Sequence, residues 1–197
     1  MTPSAPGEAR PNVVLVPAER MERELVLRQK LRFRHAKHTG SLDAVVQVHC
    51  GKVSIVGLSP VGTRLFSITQ QGEAIDVELS PGAAWPFPPE EILQAVHRTY
   101  LLPIAQPARS DGAHRVEVGS IRFVEVWQDG ALLERQFPYA DAQAGERALT
   151  VRYSGERSSS GIASRVALHD TALGYHLDIE TSSVEHLQCG DELIERQ

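Results

Sequence analysis

The chain has 197 residues, 42% of them hydrophobic and 23% charged, with a formal net charge of −5. That length suits one domain with a core of ordinary size and leaves no room for a second, and the composition excludes wholesale disorder, collagen and coiled coil. The acidic balance gives no global attraction to polyanions, so nucleic acid is not an expected partner.

Residues 1–20 read as a flexible N-terminal arm, rich at first in Pro, Gly and small residues, ahead of a single β domain over 21–197. From about residue 22 the hydrophobic period becomes two. In LVLRQKLRFR, Leu25, Leu27, Leu31 and Phe33 share one parity, and Arg28, Lys30, Arg32 and Arg34 share the other. That is a half-buried strand with a basic outer face. LDAVVQVHC repeats the pattern with Leu42, Ala44, Val46, Val48 and Cys50 inward, joined by a turn around Thr39 to Ser41. The strands KVSIVGL, TRLFSITQ and EAIDVEL follow, separated by Gly- and Pro-bearing turns.

Prolines at 81, 86, 88 and 89 then end the ladder and place Trp85 and Phe87 in a loop. A helix is expected from about Glu90 to Leu102, with Pro89 and two acids at its start and Pro103 as a stop. On its wheel Ile92, Leu93, Val96 and Tyr100 form an apolar stripe, opposite Glu90, Glu91, Gln94 and Arg98. That stripe must face the sheet, either as ordinary core or as the lid of a cavity. Strands resume with HRVEVG, SIRFVEVWQ, an Asp129-Gly130 turn, ALLERQF, ALTVRYSG, IASRVALHD and YHLDIET. The fold class is therefore mostly β: a curved antiparallel sheet or incompletely closed barrel with one main helix on its concave face.

Catalytic patterns are weak. Gly57-Leu-Ser59-Pro-Val-Gly62 has the wrong spacing for a nucleophile elbow and lies between strands, so Ser59 reads as a turn residue. The histidines are scattered; His35 with His38, or His169 with His176, could meet only through the tertiary fold. Neither G-x-G-x-x-G nor a P-loop occurs. Asp129, Asp170 and Glu180 form no pair fixed by spacing. No enzyme activity, metal or cofactor is expected. Cys50 and Cys189 are too few for a zinc ribbon and leave two readings open, a pair of buried thiols or one long-range bridge. The basic strand face reads as solvated, with Asp178 and Glu180 placed to neutralise it, or as a surface that meets anionic lipid or an acidic partner.

The stretch IVGLSPVGTRLFSITQQGEAIDVE, the Trp- and Pro-rich loop and a helix ending in LLP resemble an uncharacterised family of LolB-like bacterial lipoproteins. Members are often encoded beside aryl-polyene or related pigment genes, and the resemblance covers roughly residues 20 to 181. It implies an open β-barrel whose helix covers a concave apolar face, and non-catalytic binding or transport of an apolar lipid, acyl or polyene chain. The implied place is the periplasmic side of the outer membrane, with the membrane surface as a second partner and the usual leader missing from this sequence. Ligand-binding residues are then expected at Ile92, Leu93, Val96 and Tyr100 on the helix. Trp85 and Phe87 are expected in the loop, as a membrane-facing or inward-folded element. The rival expectation is a protein-interaction or assembly factor whose concave face is filled by its own side chains, and a third, ranked behind both, is an enzyme acting on the same apolar substrate.

Overall fold

The computed structural model describes residues 15–16, 24–35, 37–82, 89–103, 109–139, 148–172 and 174–189. Trp85 and Phe87 lie outside the described residues. The strands are β1 (Leu25–His35), β2 (His38–His49), β3 (Lys52–Leu58), β4 (Arg64–Gln71), β5 (Ala74–Leu79), β6 (Gly112–Val118), β7 (Ile121–Gln128), β8 (Ala131–Pro138), β9 (Ala148–Arg157), β10 (Ala163–Asp170) and β11 (Tyr175–His186). All neighbours pair antiparallel in the order β5-β4-β3-β2-β1-β11-β10-β9-β8-β7-β6. Each half of the chain is thus a meander, and β1 joins β11 to make one sheet whose ends, β5 and β6, do not meet.

Alternation decides the faces. Along β1, Leu25, Leu27 and Leu31 are buried while Arg28, Lys30, Arg32 and Arg34 are exposed. The expected basic outer face is confirmed. The first turn lies earlier than expected: His35 already pairs with His38, so Thr39 to Ser41 belong to β2. Gly40 is there because Phe33 crosses it, and a Cβ on Gly40 would sit 2.5 Å from that ring. Phe66 covers Gly57 in the same way, at 2.3 Å.

The expected helix divides in two. α1 runs Pro89–Val96 and continues as a π-helical turn, His97–Leu101, closed by the Leu102 N–H on the His97 carbonyl at 3.0 Å. Every residue of the π turn is buried, so Arg98, expected on the polar side, lies inside. The π turn is tied to strands far apart in the sheet. His97 reaches Gln70 of β4 (2.6 Å), Tyr100 accepts from Gln29 of β1 (2.8 Å), Tyr153 of β9 donates to the Thr99 carbonyl (3.1 Å), and Arg135 of β8 donates to the Arg98 carbonyl (3.1 Å). In a flat sheet β4 and β8, seven strand intervals apart, would be separated by about 34 Å. One turn of helix touches both, so the sheet curls around it. Register shifts at Arg28/Gln29, Gly57/Leu58, Val126/Trp127 and Ala163/Arg165 supply the bending that flat pleating lacks.

Arg135 holds the helix end. Its side chain is fully buried, and its guanidinium donates to the carbonyls of Arg98 (3.1 Å), Leu102 (3.3 Å) and Pro103 (2.9 Å). These are carbonyls that a helix C-terminus otherwise leaves without partners. Glu125, opposite on β7 and 1% exposed, accepts from Arg135 Nε and Nη2 at 3.1 and 3.0 Å and from the Trp127 indole at 3.1 Å. Cation, carboxylate and carbonyls thereby satisfy one another in the core.

The two cysteines, whose Cα atoms are 5.4 Å apart, are bridged. Cys50 is exposed at the β2–β3 turn with φ of 45°, one residue past the point where inward alternation ends. Of the two readings left open by the sequence, the bridge is the observed one. Glu24, just before β1, binds the Cys50 N–H at 2.9 Å, and its own carbonyl accepts from Leu187 at 3.1 Å, so both ends of the sheet's central strands meet this turn.

On the outer face, Arg28 faces Glu185 at 3.6 Å and Arg32 faces Glu180 at 4.0 Å, all more than half exposed. Exposed pairs contribute little. The double variant Arg28→Ala/Arg32→Ala should lose less than about 1 kcal/mol in urea unfolding, whereas Arg135→Ala, which strands Glu125 in the core, should cost about 3–5 kcal/mol.

Candidate functional site

β7 and β8 stay paired from the Asp129-Gly130 turn only as far as Val124 and Gln136. Beyond that point Ile121 to Phe123 pair with β6, and Phe137 and Pro138 pair with β9, so the two strands part. Pro138 on the parting edge has no N–H with which to extend the ladder. At this parting lies a partly open cavity of about 670 Å³. Val116, Phe123, Phe137 and Tyr139 form its apolar wall, with the two phenylalanine rings stacked at 5.2 Å between centroids. Arg115, Glu117 and Arg122 also line it. Since Val116 pairs with Phe123 and Glu117 with Arg122, the apolar group belongs to the inner face and the charged group to the outer one. The cavity therefore passes from one face of the sheet toward the other.

The helix stripe lies elsewhere. Ile92, Leu93, Val96 and Tyr100 are 4%, 0%, 6% and 3% exposed and belong to the core cluster, and none of the four lines the cavity. The Tyr100 hydroxyl, besides accepting from Gln29, sits by Thr181, and burial pushes its pKa up.

A polar cluster backs the cavity wall. Arg98 lies over the Phe137 ring at 5.9 Å and donates to Gln94 at 3.1 Å. Burial lowers its pKa, while Glu91, Tyr139, Asp170 and Tyr175 around it act in the opposite sense. Tyr139 donates to Asp170, which also accepts from the Ala172 N–H at 2.9 Å; burial first, then Asp170, raise the Tyr139 pKa. Asp170, which spacing alone pairs with nothing, is thus a buried acceptor. This constellation fixes the wall, and its carboxylate is occupied by structural partners.

The metal-like groupings are limited. His169 and His176 do face each other across β10 and β11, with ring centroids 5.8 Å apart. Glu24, His49 and Cys50 place donor atoms within 4.8 Å of one another, but the Cys50 sulfur is engaged in the disulfide and offers no thiolate. Among the described residues no helix is long and apolar enough to cross a membrane.

Sequence reading missed the cavity residues because they follow from strand parting, which alternation does not report. The run Phe137-Pro138-Tyr139 carried a signal: a proline at the end of a strand between two aromatics marks where pairing stops.

His97 is a pH-sensitive point in this framework. It is 1% exposed, accepts from the Val16 N–H at Nδ1 (3.3 Å) and donates from Nε2 to Gln70, whose own amide holds the Val16 carbonyl at 3.1 Å. Burial lowers its pKa from 6.5 to about 4. The unfolded chain therefore takes up a proton that the folded chain refuses, so this contribution is complete above pH 6.5 and is lost as the pH falls toward 4. The loss should be on the order of 3 kcal/mol. Urea unfolding at pH 7 and pH 4.5 should show a steeper fall for the wild type than for His97→Gln.

Among solved structures, the chain is similar to a LolA superfamily protein of Nitrosomonas europaea, at 11% identity and a TM-score of 0.49, with 89% of this chain and 92% of that one covered. It is similar to an outer membrane lipoprotein-sorting protein domain from Vibrio parahaemolyticus at 8% identity and a TM-score of 0.47, covering 89% and 90%. The lipoprotein LppX of Mycobacterium tuberculosis follows at 11% identity and a TM-score of 0.36, covering 83% and 88%. No curated protein matches the chain significantly. Residues 26–183 match the family described as "Protein of unknown function (DUF3261)", and the chain belongs to that family.

Proposed function

We propose that this protein binds and carries an apolar acyl or polyene chain, without covalent chemistry, at the periplasmic side of the outer membrane. The observation that carries this reading is the cavity at the β7–β8 parting, whose wall is Val116, Phe123, Phe137 and Tyr139. Its volume of about 670 Å³ falls within the roughly 300–1,000 Å³ of small-molecule sites, which are mostly apolar and largely preformed. The Cys50–Cys189 bridge supports an oxidising compartment. In this reading Ile92, Leu93, Val96 and Tyr100 seat the helix on the sheet and back the site from within. Trp85 and Phe87, which precede the helix in sequence, are the further proposed contacts with the chain or the membrane surface.

One observation favours a second reading, a protein-interaction factor. β5 is an edge strand that pairs only with β4 among the described residues, and its inward side chains Ile75 and Leu79 are 39% and 52% exposed. Such an edge can take up an extended segment of a partner.

Titration with the neutral apolar dye N-phenylnaphthylamine separates the two. The wild type should give a saturable rise in fluorescence, and Val116→Trp, which fills the cavity from an edge strand, should abolish it while leaving the melting temperature nearly unchanged. Wild-type protein that gives no saturable rise would refute the carrier reading and leave the β5 edge as the stronger feature.

A further inference from the structure

The cavity carries two kinds of wall, one aromatic and one charged. Arg115 and Glu117 lie two residues apart on the outer face of β6, and Arg122 of β7 is directly opposite Glu117. Arg115 is opposite Val124, which places Arg122 on its diagonal. Diagonal neighbours on antiparallel strands are about 7–8 Å apart, well within the joint reach of two arginine side chains. Both arginines are exposed, and neither makes a hydrogen bond or ion pair among the described residues. Elsewhere on the outer surface Arg28, Arg32, Arg64 and Arg152 all face a carboxylate within 4.0 Å. Among the described residues Lys30, Arg34 and Arg165 are exposed cations without such a partner as well, so what sets Arg115 and Arg122 apart is that both line the cavity.

Two guanidinium groups and one carboxylate leave a net single positive charge beside an aromatic slot. A neutral chain has no use for it, and a dianionic phosphate head would be only half neutralised. We infer that the β6–β7 rim of the cavity is a head-group site for a long-chain carboxylate, with Arg115 and Arg122 binding the carboxylate while the hydrocarbon lies between Phe123 and Tyr139. This rests on the reading of the cavity as an apolar-chain site and adds to it the chemical class of the ligand's end. Arginine suits the role because its planar fork meets both carboxylate oxygens. Glu117 limits the charge to one, so that the rim discriminates between a monoanion and a more highly charged head.

The test uses the full chain and two fluorescent probes that differ only at the head, cis-parinaric acid and its methyl ester, each kept below its critical micelle concentration. The wild type should bind the acid at least tenfold more tightly than the ester. Arg115→Gln/Arg122→Gln should weaken the acid about tenfold and leave the ester unchanged, and Glu117→Gln should tighten the acid alone. Raising the salt concentration should weaken the acid and not the ester. Equal affinity of the wild type for both probes, or equal weakening of both in the double variant, would overturn the head-group site while leaving the apolar cavity standing. If the wild type binds neither probe, the carrier reading fails and this inference with it. A circular-dichroism melt of each variant guards against loss of fold, and Arg115→Lys/Arg122→Lys, which keeps the charge, should restore part of the preference for the acid.

Discussion

The buried contact of Arg135 with the end of the helix is the constraint on which this architecture depends. A sheet whose two edges never meet has no ladder to hold it curled, so something on the concave face must draw its halves together. The π turn does so by hydrogen-bonding to β1, β4, β8 and β9, and Arg135 supplies the donors for its last carbonyls. Without a cation there, three carbonyls would be buried beside a carboxylate, an arrangement that no apolar replacement of Arg135 alone could satisfy. Glu125 is the counterpart of that demand: it neutralises the guanidinium and is itself held by Trp127.

The open sheet follows from the same logic. Because the helix, rather than strand pairing, spans the interior, β5 and β6 are free to remain edges, and the β7–β8 hairpin can part at its far end without undoing the core. The register shift at Val126/Trp127 has a second consequence. Leu132 pairs with Trp127, but Glu134 pairs with Val126, so Leu133 is the extra residue and every later side chain of β8 changes face. That change brings Arg135 and Phe137 inward, where regular alternation from Leu132 would have placed Glu134 and Gln136.

This explains which parts were legible in the sequence. The period-two runs mark where the strands lie, while β2 begins at His38, ahead of the expected turn residues, and β11 runs on to His186, past the expected Thr181; the basic face of β1 and the Asp129-Gly130 hairpin are legible as well. The helix was found from its prolines and acids. Its π continuation was not, because that form is set by the hydrogen bonds made to four strands and leaves no periodic trace. Arg135 and Glu125 were unreadable as partners because the bulge that aligns them has no sequence signature. Arg98 was placed outside by a regular wheel, yet a buried ring of Phe137, Tyr139 and Asp170 receives it. Cys50 followed inward parity on paper, but the positive φ at the turn turns it out to meet Cys189.

The helix anchor and the cavity share a wall, and this bears on how a ligand would enter. The Arg135 guanidinium stands 5.4 Å from the centroid of Phe123, whose ring is stacked on Phe137, and Phe137 in turn lies under Arg98. The aromatic floor is thus clamped between two buried cations, of which Arg98 belongs to the π turn and Arg135 holds that turn in place. Lifting the helix to admit a chain beneath Ile92 and Val96 would break the Arg135 bonds to three carbonyls and the His97–Gln70 and Gln29–Tyr100 bonds together. Entry between β7 and β8 breaks none of them, since Ile121–Phe123 and Phe137–Pro138 already pair away from each other. A site whose wall is fixed in this way spends little binding energy on ordering itself. For the carrier function proposed above, these bonds favour entry at the lateral slot and cast the helix as its rigid backing.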